Sequence, residues 1–255
     1  MKKPDFFSRV EQADDKVVHR RTFLSFLGFA AAGVSGFFGW KWLNRQPLDQ
    51  GALQPLRSTL ETNEKILTST FSEHHLVKTY PVEKAVKEAR VNSLVGLPQS
   101  IDAAAWRLHV KKLDGSDMAF TFNQLRVMPK KEIVYEFKCV EGWSQVQHWA
   151  GVPLKDFIEK AGLADQTKAK YIGMQTPNGQ YYVGLDMQSA LHPQTLLAYE
   201  MSGKPLSMPH GFPLRLIVPV KYGIKNLKCI GSIFFTDVKP RDYWAERGYD
   251  YYSGL

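Results

Sequence analysis

Cysteine is almost absent from this chain: two in 255 residues, Cys139 and Cys229, in unrelated contexts. No metal-type C-x-x-C pair exists, and no C-x-x-C-H is present to attach a c-type haem. No internal repeat or low-complexity tract stands out, which argues against a solenoid or a disordered scaffold. An excess of one charge sign is also missing outside the N-terminus. Residues 1–45 carry eight Lys/Arg against four Asp/Glu, leaving 25 against 21 for the remainder. A body so nearly balanced has no basic stripe for a phosphate backbone, so no nucleic-acid partner is expected.

What is present begins at His19-Arg20-Arg21-Thr22-Phe23-Leu24-Ser25, which leads into 19 uncharged residues from Thr22 to Trp40. As a helix these would span about 28 Å, close to the ~30 Å hydrocarbon core of a bilayer. The arginine pair fits either a twin-arginine export signal, which this stretch resembles, or a membrane helix anchored by the positive-inside rule. Phe23-Leu24 after the pair favours the export signal. Ala30-Ala31-Ala32 offers a cleavage site, yet cutting there leaves an apolar mature end from Gly33 to Trp40, which favours retention as an anchor. Trp40, Lys41 and Trp42 are the residue types of a membrane interface.

The expected organisation is a signal or anchor over residues 1–43, a linker with some helix over 44–75, and one folded domain over 76–255. In the linker Pro47 and Pro55 interrupt, and Leu53, Leu56, Leu60 and Ile66 give only fragmentary helical periodicity. Pro81 can open a short helix reaching Ala89. Trp106, Leu108 and Val110 then alternate with Arg107, His109 and Lys111 before the turn Asp114-Gly115, a strand and hairpin signal. Further strands are expected at Met118–Phe122, Ile133–Phe137, Gln180–Leu185, Leu214–Val220 and Ile230–Thr236, with a helix over Pro153–Ala161 ended by Gly162. Strands outnumber helices and no βαβ alternation occurs, so the class is α+β, β-rich and mixed.

Cys139 follows the apolar run Ile133-Val134-Tyr135 at a strand end. On its own it reads as a small buried hydrophobe. Its surroundings read differently. Cys139-Val140-Glu141-Gly142-Trp143-Ser144 is followed by Trp149-Ala150-Gly151-Val152-Pro153-Leu154, then by Leu197–Leu206, His210-Gly211-Phe212-Pro213-Leu214-Arg215 and Lys221–Lys228. Taken in this order, the motifs resemble the molybdopterin-binding domain of the sulfite oxidase family from about Arg90 to the C-terminus. The cysteine motif is closest to the bacterial periplasmic methionine sulfoxide reductase catalytic subunits.

The resemblance implies a β-rich molybdopterin-binding fold and a molybdenum–molybdopterin cofactor with a single pterin. It implies that Cys139 is the molybdenum ligand and catalytic centre, a soft thiolate suiting a soft metal. Asn92, Thr176, His210, Arg215, Gly223, Lys225 and Lys228 are implied to hold the pterin and its phosphate. For five of these there is a plain alternative: a cap or turn for Asn92 and Thr176, a structural histidine for His210, a solvated face for the two lysines. The implied reaction is two-electron oxygen-atom transfer, with sulfoxide reduction ahead of sulfite-type oxidation. A non-catalytic membrane-anchored binding protein keeping the fold is the reading from another class. With no haem motif in the chain, the expected partners are a small or protein-bound oxygen donor or acceptor and a separate electron-transfer protein, such as a membrane haem protein. The expected location is the periplasmic or extracytoplasmic side of the membrane. Cys229 has no assigned role.

Overall fold

The computed structural model describes residues 15–254; residues 1–14, where the expected signal begins, and residue 255 lie outside it. Two compact units divide the chain. The first reaches to Leu48 and includes Leu53–Pro55; the second comprises Asp49–Ala52 and Leu56–Leu255.

The first unit is built on helix α1 (Asp15–Leu43). It contains the whole uncharged stretch, and over Lys16–Leu43 it is long and apolar enough to cross a membrane. Phe23, Phe29 and Trp40 are exposed along it. Lys41 sits over the Phe37 ring at 4.9 Å, and Asn44 donates its side-chain amide to Trp40 O at 2.8 Å to close the last turn.

The two-residue strands β1 (Leu48–Asp49) and β2 (Ala52–Leu53) flank the Gln50-Gly51 turn and lead into helix α2 (Gln54–Thr70). This 17-residue helix occupies much of the stretch expected to be a linker. Its apolar pattern was faint because the residue it buries is a cation, Arg57.

The rest of the second unit holds two sheets. One is ordered β4 (Asp117–Thr121), β3 (Arg107–Lys111), β12 (Ser232–Thr236), β7 (Tyr171–Gln175), β8 (Tyr182–Asp186). Only its β3–β12 pairing is parallel. The other runs β5 (Lys131–Lys138), β6 (Ser144–Pro153), β9 (Leu196–Met201), with β10 (Lys204–Pro205) and β11 (Arg215–Ile217) both paired to β9. The Asp114-Gly115 hairpin forms as expected, with Gly115 at φ +83° in the left-handed region. Helices α3 (Phe122–Arg126) and α4 (Leu154–Lys160) cover the sheets. The first is fixed by a capping box between Thr121 and Gln124. A four-residue helix, α5 (Met187–Ala190), follows β8. This is the α+β class that alternation implied.

Two local expectations give way. The helix expected from Pro81 to Ala89 shortens to a single 3₁₀ turn, Val82–Lys84, because Val86 N–H donates to Val146 O at 2.9 Å and draws the chain onto the edge of β6. The strand expected over Leu214–Val220 pairs only over Arg215–Ile217. Strand β6 had no sequence signal because its polar start and Gly151 hide it. A Cβ on Gly151 would collide with Leu197 O across a register shift at Ala150/Gly151, so the glycine is what lets β9 approach.

Most of the apolar side chains form one core, including Leu108, Val110, Phe157, Ile172, Leu216 and Ile233. A smaller cluster of Tyr135, Phe137, Trp149 and Ile217 lies beneath the end of β5 and carries the site described next. Trp149 is fully buried in it; truncating such a residue costs about 3–5 kcal/mol.

Candidate active site

Cys139 is the first residue beyond β5, in the hairpin that turns into β6. Its N–H donates to Trp143 O at 2.9 Å, and Gly142 N–H donates back to Cys139 O at 3.1 Å. Gly142 takes φ +84°, a conformation that glycine adopts without strain. The hairpin is stiffened by its own side chains. Trp143 stacks on Phe137 at 6.0 Å and donates its indole N–H to Glu141 at 2.9 Å. The thiol therefore has a fixed position at the floor of a pocket. Burial raises its pKa, opposed by the backbone N–H of Glu141.

Segment 90–93 is laid across the hairpin by three contacts. Arg90 places its guanidinium 5.0 Å from the Trp143 ring centre, and its N–H donates to Gln145 Oε1 at 2.9 Å. Asn92 then donates its side-chain amide to Cys139 Sγ at 3.7 Å. From the opposite side, Lys228 donates to Asn92 O at 3.1 Å, Ser93 O at 3.0 Å and Pro209 O at 2.8 Å. One ammonium ties three chain segments together.

Arg215 opens β11 and is 4% exposed. Its guanidinium lies 4.7 Å from the Trp149 ring centre and 5.7 Å from that of Phe137, and it donates to His210 O at 3.1 Å. Its Nε has no partner, and among the described residues no carboxylate lies within 4.0 Å of Arg215 or Lys228. Burial lowers the Arg215 pKa to about 10, and burial followed by the Arg215 charge lowers Lys228 to about 7. Two desolvated cations beside each other with no counter-charge are costly unless an anion joins them.

These residues share one pocket, lined by Asn92, Cys139, Arg215, Gly223 and Lys228 together with Tyr181, Trp244 and Tyr249. Gly223 stands against Phe137, where a Cβ would come within 2.7 Å of the ring.

Three expected site residues lie elsewhere. Thr176 is behind the wall: its hydroxyl donates to Asn178 at 2.8 Å and accepts from Tyr181 N–H at 3.2 Å, closing the loop that presents Tyr181. Tyr181 in turn donates to Ile224 O at 2.8 Å. His210 turns its ring toward Ser207 at 3.0 Å and Ala89 O at 3.3 Å, so only its carbonyl reaches Arg215. Lys225 is corrected most sharply. Its ammonium is buried against Asp242 at 2.6 Å and Gly184 O at 2.9 Å, 4.1 Å from the Tyr251 ring centre, and it does not line the pocket. Cys229 is a free, fully buried thiol with its pKa raised to about 12 by burial. Sequence reasoning missed the aromatic wall; the density of Tyr and Trp between Tyr243 and Tyr252 was the available signal.

The donor set fits a molybdopterin. Among the described residues no group of three or more His, Cys, Asp or Glu gathers to hold a metal. A metal held here would depend on ligands that a cofactor brings, and the pocket offers such a group the Cys139 sulfur, the unpaired Arg215 Nε and the Lys228 ammonium.

Fold and site together define a molybdopterin-dependent oxidoreductase. Residues 95–244 match the family model of the oxidoreductase molybdopterin binding domain, and the chain belongs to that family. It is 37% identical over 186 residues to a putative protein-methionine-sulfoxide reductase subunit, YedZ1, of Azospira oryzae, covering 72% of this chain and 70% of the relative. It is 40% identical over 136 residues to the protein-methionine-sulfoxide reductase catalytic subunit MsrP of Xanthomonas axonopodis pv. citri, covering 48% and 42%. With the MsrP of Campylobacter jejuni it shares 33% over 178 residues, covering 63% and 60%. The chain thus spans about half the length of these two catalytic subunits. Among solved structures, the sulfane dehydrogenase SoxCD of Paracoccus pantotrophus superposes with a TM-score of 0.50 at 20% identity, over 66% of this chain and 46% of that one, a likeness of fold.

Proposed function

We propose that this oxidoreductase reduces sulfoxides on the extracytoplasmic side of a membrane, with Cys139 as the protein's ligand to molybdenum. The observation that carries the reading is the pocket in which a buried thiol, the buried Arg215 and the half-buried Lys228 converge with no carboxylate among the described residues beside the two cations. The names of the relatives supply the substrate class, a methionine sulfoxide. The bound cofactor supplies two-electron transfer of an oxygen atom: a sulfoxide, two electrons and two protons give a sulfide and water.

The chain's own residues do the positioning. Asn92 and the hairpin fix the Cys139 sulfur, Lys228 ties down segment 92–93, and Arg215 holds positive charge where the pterin's anionic end would lie. Gly223 lets the backbone come close. Electrons come from a separate protein, since no haem motif occurs in the sequence. Helix α1 supports membrane attachment by length and composition.

The test is molybdenum analysis of the purified protein with assays on methionine sulfoxide and on sulfite. Molybdenum near one per chain with sulfoxide turnover is expected; metal-free, folded protein would support a binding module, and turnover of sulfite alone would reverse the direction. Exchanging Arg20 and Arg21 for lysine should hold folded protein in the cytoplasm, and normal export of that variant would leave only a general membrane anchor.

A further inference from the structure

Arg57 buries a guanidinium where nothing acidic receives it. It is 4% exposed, and among the described residues no carboxylate lies within 4.0 Å of it. All its hydrogen bonds go to backbone carbonyls: Nη1 to Tyr249 O at 3.0 Å, and Nη2 to Ala245 O at 2.6 Å and Gln50 O at 2.9 Å. Two of these belong to the turn that carries the pocket's aromatic wall. Trp244 and Tyr249 line the pocket, their rings 5.1 Å apart at 70°.

The turn between them is also held from within, since Arg247 N–H and Tyr249 N–H donate to Trp244 O at 2.9 and 3.1 Å and Glu246 pairs with Arg241 at 2.6 Å; Arg57 is the side chain that ties it to helix α2. At its start, Asp242 accepts from Trp244 N–H at 3.2 Å and Ala245 N–H at 3.1 Å. At its end, Gly248 takes φ +91° and donates to Gln50 O at 3.0 Å. The Gln50-Gly51 turn presses so closely that a Cβ on Gly51 would meet Arg247 C at 2.8 Å. Arg57 lies outside residues 95–244, the part of the chain that the family model matches, and so does Tyr249.

We propose that Arg57 is a positioning residue: a fork reaching from helix α2 that fixes the Trp244–Tyr249 wall and thereby the mouth where the substrate sulfoxide is held. Tyr249 is 40% exposed whereas Cys139 and Arg215 are 6% and 4% exposed, so the wall stands at the entrance and the cofactor-holding residues at the floor. A lysine cannot replace the arginine, because one ammonium lacks the planar fork that reaches separated carbonyls. The inference rests on sulfoxide reduction for its kinetic arm and on geometry alone for its structural arm.

The experiment compares the parent with Arg57→Lys and Arg57→Ala in the full chain. Backbone hydrogen exchange is read by mass spectrometry over residues 244–249 in metal-loaded and metal-free protein. KM and kcat are measured for methionine sulfoxide with a chemically reduced viologen as donor. Both variants should exchange faster in that turn with or without metal. KM should rise about ten- to a hundredfold, the scale of a wall displaced by about an ångström, while kcat per bound molybdenum stays within about twofold. In a Trp244→Ala/Tyr249→Ala background, Arg57→Ala should raise KM no further. Unchanged exchange in the turn, or a lower melting temperature with KM unchanged, would overturn the proposal. A parent that never turns over sulfoxide removes the assigned reaction instead, and the exchange measurement on metal-free protein still decides whether Arg57 holds the wall.

Discussion

The side-chain amide of Asn92 donates to the Cys139 sulfur at 3.7 Å across a separation of 47 residues. That contact joins the segment ahead of the sheets to the hairpin after β5 and gives the thiol a single orientation. Lys228 holds the same segment from its other side, so the sulfur is fixed by backbone, amide and ammonium together.

Cys139→Ser should lose molybdenum and turnover together while remaining folded, because a hydroxyl is a poor ligand for a soft metal. Cys229→Ala should retain both, since that thiol is buried away from the pocket lining. Metal content and activity measured on the two variants check this; equal losses would remove Cys139 from the metal.

Arg215→Gln and Lys228→Met should lower cofactor loading more than turnover per bound molybdenum. Each loses a charge-assisted contact of about 1.5–3 kcal/mol, which corresponds to roughly ten- to a hundredfold in retention. Molybdenum per chain set against rate per molybdenum separates the two effects. Full loading with a collapsed rate would place both residues on the substrate instead.

Lys225→Met should act on stability. It leaves the Asp242 carboxylate buried without its cation, a loss of about 3–5 kcal/mol. Denaturant unfolding reads this directly. If stability is unchanged but cofactor loading falls, the lysine serves the pterin after all.

His192 gives the fold an acid limit. The ring is fully buried, and burial keeps its pKa below 6.5. The folded state therefore binds this proton less readily than the unfolded chain, and the stability present above 6.5 is lost as pH falls below it. His192→Asn keeps an acceptor for Gln194 N–H, which now donates to the ring at 3.3 Å, and has no proton to bind. From about pH 7.5 to about pH 5.5 the parent should lose more melting temperature than this variant, and equal losses would place the acid sensitivity elsewhere.

The fold class was legible wherever one face of a strand is wet. Arg107–Lys111 alternates strictly and forms β3 at the expected place. Strand β6 is buried through most of its length and carries Gly151 and Pro153, so neither alternation nor composition announces it. Helix α2 was half-visible, because its buried residue is a cation that periodicity counts as polar. At the site, order along the chain marked Cys139, Asn92, Arg215, Gly223 and Lys228, which the pocket unites. The same order placed Lys225 beside them, although its ammonium leaves the pocket for Asp242.

The sequence by itself determined the chemical inventory: one thiol in a strand-end motif, an arginine ahead of an apolar strand, two lysines after a glycine, and an apolar helix near the N-terminus. Those are properties of residue type and order, and short-range sterics and hydrophobicity express them locally. Only the tertiary structure decided which cations meet the thiol's pocket, which one is neutralised by Asp242, that Trp244 and Tyr249 line that pocket, and that Arg57 bonds to the turn between them. Those contacts join residues as many as 192 positions apart, as between Arg57 and Tyr249. Burial and the search of each buried polar group for a partner settle such pairings, and both exist only once the chain has closed on itself.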